Sequence, residues 1–80
     1  MWEALKASEY AKFCYLHVVG MKKELEDKGY VSCMEGYVFT DWDDLLSCSV
    51  NQFKQYYEDP YWIEQDIPLE EALNIAGLGG

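Results

Sequence analysis

Eighty residues suffice for one small domain, so residues 1–80 should form a single acidic domain with a modest core. The formal net charge of -9 lies entirely in the second half, because residues 1–34 hold five lysines and five acids whereas residues 35–80 hold one lysine and ten acids. The chain has no arginine, the residue best suited to gripping phosphates and reading guanine, which disfavours direct binding to nucleic acid.

The first predicted element is a long helix from about Trp2 to Lys28. Its buried face repeats at three- and four-residue steps and consists of Tyr10, Cys14, His17, Val18, Met21 and Leu25. Gly29 follows directly and is a good stop signal. Gly20 weakens the helix, and the apolar run around it leaves a strand open as an alternative.

A β-hairpin is predicted next, over Tyr30–Thr40. Two short runs rich in β-branched and aromatic residues flank Glu35 and Gly36, which we interpret as a two-residue turn. A lone two-stranded hairpin is marginal in water. It should therefore lie against the first helix or add a strand to the sheet edge of a partner.

The stretch that starts at Thr40 has the clearest helical pattern of the chain. Its buried stripe consists of Trp42, Leu45, Leu46, Ser49, Phe53, Tyr56 and Tyr57. Thr40 is the expected N-cap, and Asp41, Asp43 and Asp44 fall in the first turn, where the helix dipole favours acids without any functional role. The helix should reach Tyr57, unless the serines in its middle mark a break and a new capping box.

Two short helices complete the prediction. Asp59-Pro60 is typical of the start of a helix, which would run through Gln65, and Pro68 opens another. The last helix places Leu69, Leu73 and Ala76 on one face and ends at Gly77. These elements predict an α+β fold that is mostly α, with a long N-terminal helix, a short β-hairpin and then two or three helices in one compact domain.

Cysteine usage and hydropathy indicate a cytoplasmic protein. The three cysteines are widely spaced, without the close pairs of a secreted disulfide scaffold, so we expect them to be reduced. The longest apolar patch, Phe13–Val19, is far too short to span a bilayer. We therefore expect a soluble protein of the cytoplasm.

Metal binding and catalysis have weak support in the sequence. Cys14 and His17 lie on one helical face and could form a zinc site with Cys33 and Cys48, but two of these four ligands are isolated, whereas zinc sites usually pair them. Buried thiols and a core histidine are the preferred interpretation. No nucleophile motif lies beside His17, so we expect no metal, no cofactor and no enzyme activity.

The chain ends in Leu78-Gly79-Gly80, which resembles the diglycine tails of ubiquitin-like proteins and small sulfur carriers. That resemblance implies a carrier role and a β-grasp fold that opens with a strand hairpin. Because this chain opens instead with a helix-like stretch, we interpret the tail as a flexible end.

The acidic half carries the functional prediction. Its carboxylates are interleaved with aromatic residues suited to anchoring an interface, and almost no lysine balances them. The residues predicted to bind a partner are Asp43, Asp44, Tyr57, Glu58, Asp59, Tyr61, Trp62, Glu64, Asp66, Glu70 and Glu71. Acids three or four apart on a helix lie about 5 to 6 Å from each other, comparable in order to phosphates along a nucleic-acid strand. Solubility alone would also account for such a surface.

In size, charge and lack of catalytic motifs the chain is similar to small acidic phage-encoded inhibitors, including anti-CRISPR and anti-restriction proteins that mimic DNA. That resemblance implies a basic nucleic-acid-binding effector or nuclease as partner, in the cytoplasm of the host cell if a phage encodes the chain. The lack of arginine and the short apolar patch predict no direct binding to nucleic acid and none to a membrane. Two alternatives remain. The first is an adaptor or regulatory module that uses exposed aromatics and the hairpin edge. The second is half of a helix-turn-helix, which the lack of basic residues disfavours.

Overall fold

The computed structural model describes residues 3–32 and 36–79. In chain order the elements are β1 (Leu5–Lys6), α1 (Ala7–Lys28), β2 (Val31–Ser32), β3 (Val38–Phe39), α2 (Trp42–Tyr57), β4 (Ile63–Glu64) and α3 (Leu69–Ile75). Within the described part the three helices make up 61%. The predicted fold class is therefore confirmed, with a long N-terminal helix, a small antiparallel hairpin and then two helices.

Helix α1 begins at Ala7, later than predicted. Leu5 and Lys6 instead pair in parallel with Ile63 and Glu64 of β4, and the Leu5 N–H donates to the Trp62 carbonyl at 3.0 Å. Trp2 lies outside the described residues. The predicted stop is confirmed, since Gly29 has a left-handed φ of 81° and donates its N–H to the Leu25 carbonyl at 2.8 Å. The helix is continuous through Gly20, so the strand alternative is wrong.

Most of the predicted buried face of α1 packs on the core, and the residues that do so are Tyr10, Cys14, Val18 and Met21. Ala7, Ala11 and Val18 are buried, whereas His17 is exposed, so its assignment to the core is wrong. Alanines at this face let α3 pack closely, and Ala72 of α3 is likewise fully buried. The predicted face missed these alanines because a methyl group contributes little to a hydrophobic pattern.

The hairpin is antiparallel, as predicted, but its register differs. Val31 pairs with Phe39 and Ser32 with Val38, whereas a two-residue turn at Glu35-Gly36 would pair Ser32 with Phe39. This register is shifted by one residue from the one that a two-residue turn gives, and Glu35 itself lies outside the described residues. Strand β2 packs against α1 and β3 against α2, so the hairpin lies on the helices.

Helix α2 is unbroken from Trp42 to Tyr57. Its N-cap position is Asp41 rather than the predicted Thr40, and the Asp41 carbonyl accepts from the Leu45 N–H at 3.1 Å. Leu45 and Phe53 are each 1% exposed and form the deepest part of its buried face. Tyr56, which the prediction placed on the same stripe, is 42% exposed.

The helix predicted over residues 59–65 does not form. The Asp59 carboxylate accepts from the Tyr61 N–H at 3.0 Å, which makes a turn, and the chain then enters β4. Pairing with β1 is what holds this segment extended, and β1 is distant in sequence. A local start signal at Asp59-Pro60 therefore does not decide its conformation.

Helix α3 ends in a Schellman motif that turns the chain back onto the core. Gly77 has φ 75°, and its N–H donates to the Asn74 carbonyl at 3.1 Å, while the Leu78 N–H donates to the Leu73 carbonyl at 2.9 Å. Leu78 is 5% exposed. The predicted flexible tail is therefore wrong as far as Gly79, whose N–H also donates to the Leu73 carbonyl, and Gly80 lies outside the described residues.

One hydrophobic cluster joins the three helices and β4. Its buried members are Ala7, Ala11, Val18, Phe53, Tyr57, Ile63, Ala72, Ala76 and Leu78. Phe53 of this cluster stacks on the half-buried ring of Tyr10, with ring centroids 5.0 Å apart. No helix among the described residues is long and apolar enough to cross a membrane.

Candidate partner-binding surface

The acids at the start of α2 form the first part of the candidate surface. Asp43 and Asp44 lie in the first turn and are exposed. Glu58 follows the last turn of the same helix, about 22 Å away along the axis at 1.5 Å per residue. The predicted partner-binding residues therefore form two groups, and the stretch of α2 between them has no acid.

The second group is the C-terminal acidic segment, which we define as residues 58–71. Its exposed acids are Glu58, Glu64, Asp66, Glu70 and Glu71, and Asp59 is half-buried. Glu70 and Glu71 occupy the first turn of α3, where the helix dipole favours them as it favours the acids of α2. Each helix of the second half thus presents carboxylates at its N-terminus for a local reason.

Two aromatic side chains project from this segment. The rings of Tyr61 and Trp62 meet edge to face, with centroids 4.8 Å apart and an interplanar angle of 87°. They remain 60% and 43% exposed in the turn between α2 and β4. An aromatic ring at the surface beside a carboxylate can bind a cationic side chain in two ways, through a cation–π contact with the ring face and through attraction to the negative charge.

A shallow, open groove lies beside Trp62. Leu5, Glu9 and Tyr10 line it from the N-terminal part of the chain, and Tyr56, Trp62 and Glu64 line it from the C-terminal part. Sequence reasoning missed Glu9, which belongs to the charge-balanced half, and it placed Tyr10 and Tyr56 on buried stripes. Packing of α1 against α2 and pairing of β1 with β4 bring these residues to one groove, and no local sequence signal predicts these contacts.

Tyr57 does not belong to the candidate surface. It is 8% exposed, its hydroxyl donates to the Ile67 carbonyl at 2.7 Å, and its own carbonyl accepts from the Gln65 side-chain amide at 3.0 Å. These bonds tie the end of α2 to the segment before α3. Its assignment to the partner surface is therefore corrected, and Tyr57 is a core residue.

Asp66 is exposed but has a structural role. Its carboxylate accepts from both the backbone N–H, at 2.9 Å, and the hydroxyl of Ser8 in the first turn of α1. These hydrogen bonds lower the pKa of Asp66 below its ordinary value. Lys6 occupies the N-cap position of α1, and its side chain makes no capping hydrogen bond. Asp66 caps the helix instead, from a distant segment of the chain.

The Asp66 contact predicts a specific dependence of stability on pH. A carboxyl group with a lowered folded-state pKa stabilises the fold above its unfolded pKa of about 4, and this contribution is lost as the pH falls through the folded pKa. Asp66→Asn should lower the melting temperature by a few degrees at neutral pH. The difference from the unmodified protein should shrink below about pH 4. Thermal unfolding followed by circular dichroism over a pH series measures this difference.

Glu64→Gln is the matched control for Asp66→Asn, because Glu64 is exposed two residues away and has no hydrogen bond among the described side chains. Its melting temperature should follow that of the unmodified protein at every pH. If the melting temperatures of Asp66→Asn and the unmodified protein changed with pH in parallel, the charge of Asp66 would not stabilise the fold through Ser8.

Ion pairs do not neutralise the acidic half. Among residues 3–32 and 36–79 the salt bridge is Lys28 to Glu24, at 3.1 Å within α1. The single lysine of the second half, Lys54, lies in the last turn of α2. Within the described residues, no ion pair therefore neutralises the carboxylates of the candidate surface.

The four residues considered for zinc are not brought together as far as the structure describes them. Cys14 is half-buried beside Tyr10, and burial raises the pKa of its thiol, whereas His17 and Cys48 are exposed. Cys33 lies outside the described residues. Within the described ranges, no cluster of three or more histidine, cysteine or acidic side chains is arranged to hold a metal ion.

Comparison of the chain with protein-family models, with curated proteins and with solved structures finds no match. Function therefore has to be inferred from the surface itself.

Proposed function

We propose that this chain is a small acidic inhibitor that occupies the nucleic-acid-binding surface of a basic effector or nuclease in the cytoplasm. One observation carries the proposal. Of the nine acids in residues 36–79, eight are exposed and Asp59 is half-buried, and none has a salt bridge within the described part of the chain. A surface of this kind lacks internal counter-charge and attracts a basic partner over about a Debye length.

The proposed inhibition requires no covalent reaction, because it works by competition for a binding site. The two acidic groups at the ends of α2 are separated by about 22 Å, which corresponds to roughly six base-pair steps of 3.4 Å in a duplex. Carboxylates at both ends could therefore contact the lysines and arginines that hold phosphates along one basic channel. Bound there, the chain excludes the nucleic acid by direct competition, as anti-CRISPR and anti-restriction inhibitors of this general design do.

The exposed aromatic pair gives the complex a second source of affinity. Tyr61 and Trp62 lie between Asp59 and Glu64, so a cationic side chain of the partner can contact a ring face and a carboxylate together. Aromatic anchors carry a large share of binding energy in many interfaces, whereas rim charges mainly speed association. Carboxylates and rings should therefore contribute differently to association and dissociation rates.

An adaptor function is the second candidate, and the hairpin supports it. Tyr30, Tyr37 and Val38 are 47%, 65% and 58% exposed, although they flank or belong to strands. A two-stranded sheet with apolar side chains on its surface can accept a further strand from a partner. Such binding would depend little on salt, which distinguishes it from the acidic-surface proposal.

The proposal predicts inhibition that salt and nucleic acid both relieve. The test uses purified basic enzymes, for example a guide-loaded CRISPR effector and a DNA-cleaving restriction enzyme, with binding measured by interferometry and cleavage measured on a labelled duplex. Raising the salt from about 50 to about 200 mM should weaken binding at least roughly tenfold, and duplex DNA should compete. Absence of binding to every such enzyme, or binding that DNA and salt leave unchanged, would contradict the proposal.

Neutralising pairs of acids should identify the surface. Asp43→Asn with Asp44→Asn, or Glu58→Gln with Glu64→Gln, should each weaken binding roughly 2- to 30-fold, because an exposed charge contact contributes about 0.2 to 1 kcal/mol. The melting temperature should change little for the second pair. The matched control is Glu26→Gln with Asp27→Asn, which removes the same charge from the exposed end of α1. An equal loss from the control would mean that net charge, and not this surface, determines binding.

A further inference from the structure

The outward face of α1 is apolar in its middle. Phe13, Leu16 and Val19 are 68%, 71% and 47% exposed, although they lie in the centre of the longest helix. Gly20 continues this stripe, and an added Cβ there would meet no atom within 4 Å. Bulky apolar side chains so exposed on one helix face are typical of an interaction site.

Charges flank the stripe in a balanced way. Helix α1 contains four lysines and four acids, whereas the second half of the chain contains one lysine and ten acids. Glu9 lies about one turn before Phe13 and Lys23 lies about one turn after Val19, and both are exposed. The α1 face is therefore a surface through which two copies of this acidic chain can meet without strong repulsion.

The direction of pairing follows from these charges. In a parallel pair, Glu9 would face Glu9 and Lys23 would face Lys23, which is repulsive. In an antiparallel pair whose two-fold axis passes beside Leu16, Phe13 lies opposite Val19 and Glu9 opposite Lys23. Each copy then contributes the same patch, as a two-fold interface requires, and the contact between Glu9 and Lys23 forms twice.

We infer that this chain self-associates through the outward face of α1, as an antiparallel two-fold dimer with Leu16 at its axis. The paired stretch from Glu9 to Lys23 is about 21 Å long, so the interface is small and the dimer is a weak one. The acids of both groups lie on α2, β4, α3 and the segments between them, whereas Glu9 of α1 also lines the groove beside Trp62.

Sedimentation of the full chain over a concentration series tests the inference. The mass should rise from 9.3 kDa towards twice that value as the concentration increases from low micromolar to near-millimolar. Leu16→Ser should keep the mass at 9.3 kDa throughout, and it should not lower the melting temperature of the monomer because Leu16 is exposed. A constant monomer for the unmodified chain, or a dimer that Leu16→Ser leaves intact, would overturn the inference.

Charge reversal tests the register. Glu9→Lys and Lys23→Glu should each weaken self-association roughly 3- to 30-fold, because each removes a contact that occurs twice. The two changes combined should restore it, since the pairs reform with their signs exchanged. Glu64→Lys and Lys54→Glu are the matched controls, since they make the same charge changes on exposed residues of β4 and α2 and should have less effect. Failure of the double variant to recover would overturn the proposed register.

Discussion

Phe53→Ala is expected to destabilise the protein by about 3 to 5 kcal/mol, because it empties the centre of the core. Phe53 is 1% exposed, belongs to the cluster that joins the three helices, and stacks on Tyr10 with ring centroids 5.0 Å apart. An 80-residue domain has a total stability of about 4 to 12 kcal/mol, so the variant should be close to unfolding at 25 °C. Urea unfolding followed by far-ultraviolet circular dichroism measures the change.

Tyr56→Ala is the matched control for Phe53→Ala. It removes a neighbouring aromatic side chain from the same helix, but Tyr56 is 42% exposed. The loss should therefore be smaller, about 1 to 2 kcal/mol, which includes its ring contact with Tyr10 at 6.1 Å. Equal destabilisation by the two changes would mean that the buried face of α2 has been assigned wrongly.

Leu78→Ala is expected to destabilise the protein by about 2 to 4 kcal/mol, an effect unusual so close to a chain end. Leu78 is 5% exposed, and the Schellman motif at Gly77 holds it against the core. A flexible carrier tail would give no such effect, because an exposed leucine near a terminus contributes little. The same urea titration measures it.

Leu16→Ala, measured at a concentration where the chain is monomeric, is the control for Leu78→Ala. It deletes the same atoms from a side chain that is 71% exposed, so the change should be within about 0.5 kcal/mol. If Leu78→Ala changed the free energy of unfolding equally little, the tail would not be packed on the core. The interpretation of the tail as that of a diglycine carrier would then be supported.

The two stability predictions concern buried residues of the core, whereas the binding predictions concern exposed residues. Phe53, Tyr57 and Leu78 maintain the fold, whereas Glu58 and Glu64 can be neutralised without loss of a hydrogen bond between described side chains. Asp66 belongs with the first set because it accepts from Ser8. A binding defect in Asp66→Asn would therefore need a stability measurement beside it before it could be assigned to the interface.

The sequence by itself determined the elements whose signals are local. The three- and four-residue spacing predicted α1 and α2, Gly29 and Gly77 marked two helix ends, and the charge asymmetry is a property of composition. The end of α1 follows directly from its Gly29 signal, because a left-handed φ costs glycine least.

The tertiary structure alone decided which residues meet. Pairing of Leu5 with Ile63, 58 residues apart, shortened α1 and replaced a predicted helix with β4. Burial made Leu78 part of the cluster, and the Ser8 contact made Asp66 structural. The physical reason is common to all of these. A local pattern specifies the periodicity of an element, whereas burial and capping by distant segments depend on contacts that exist only once the elements have packed.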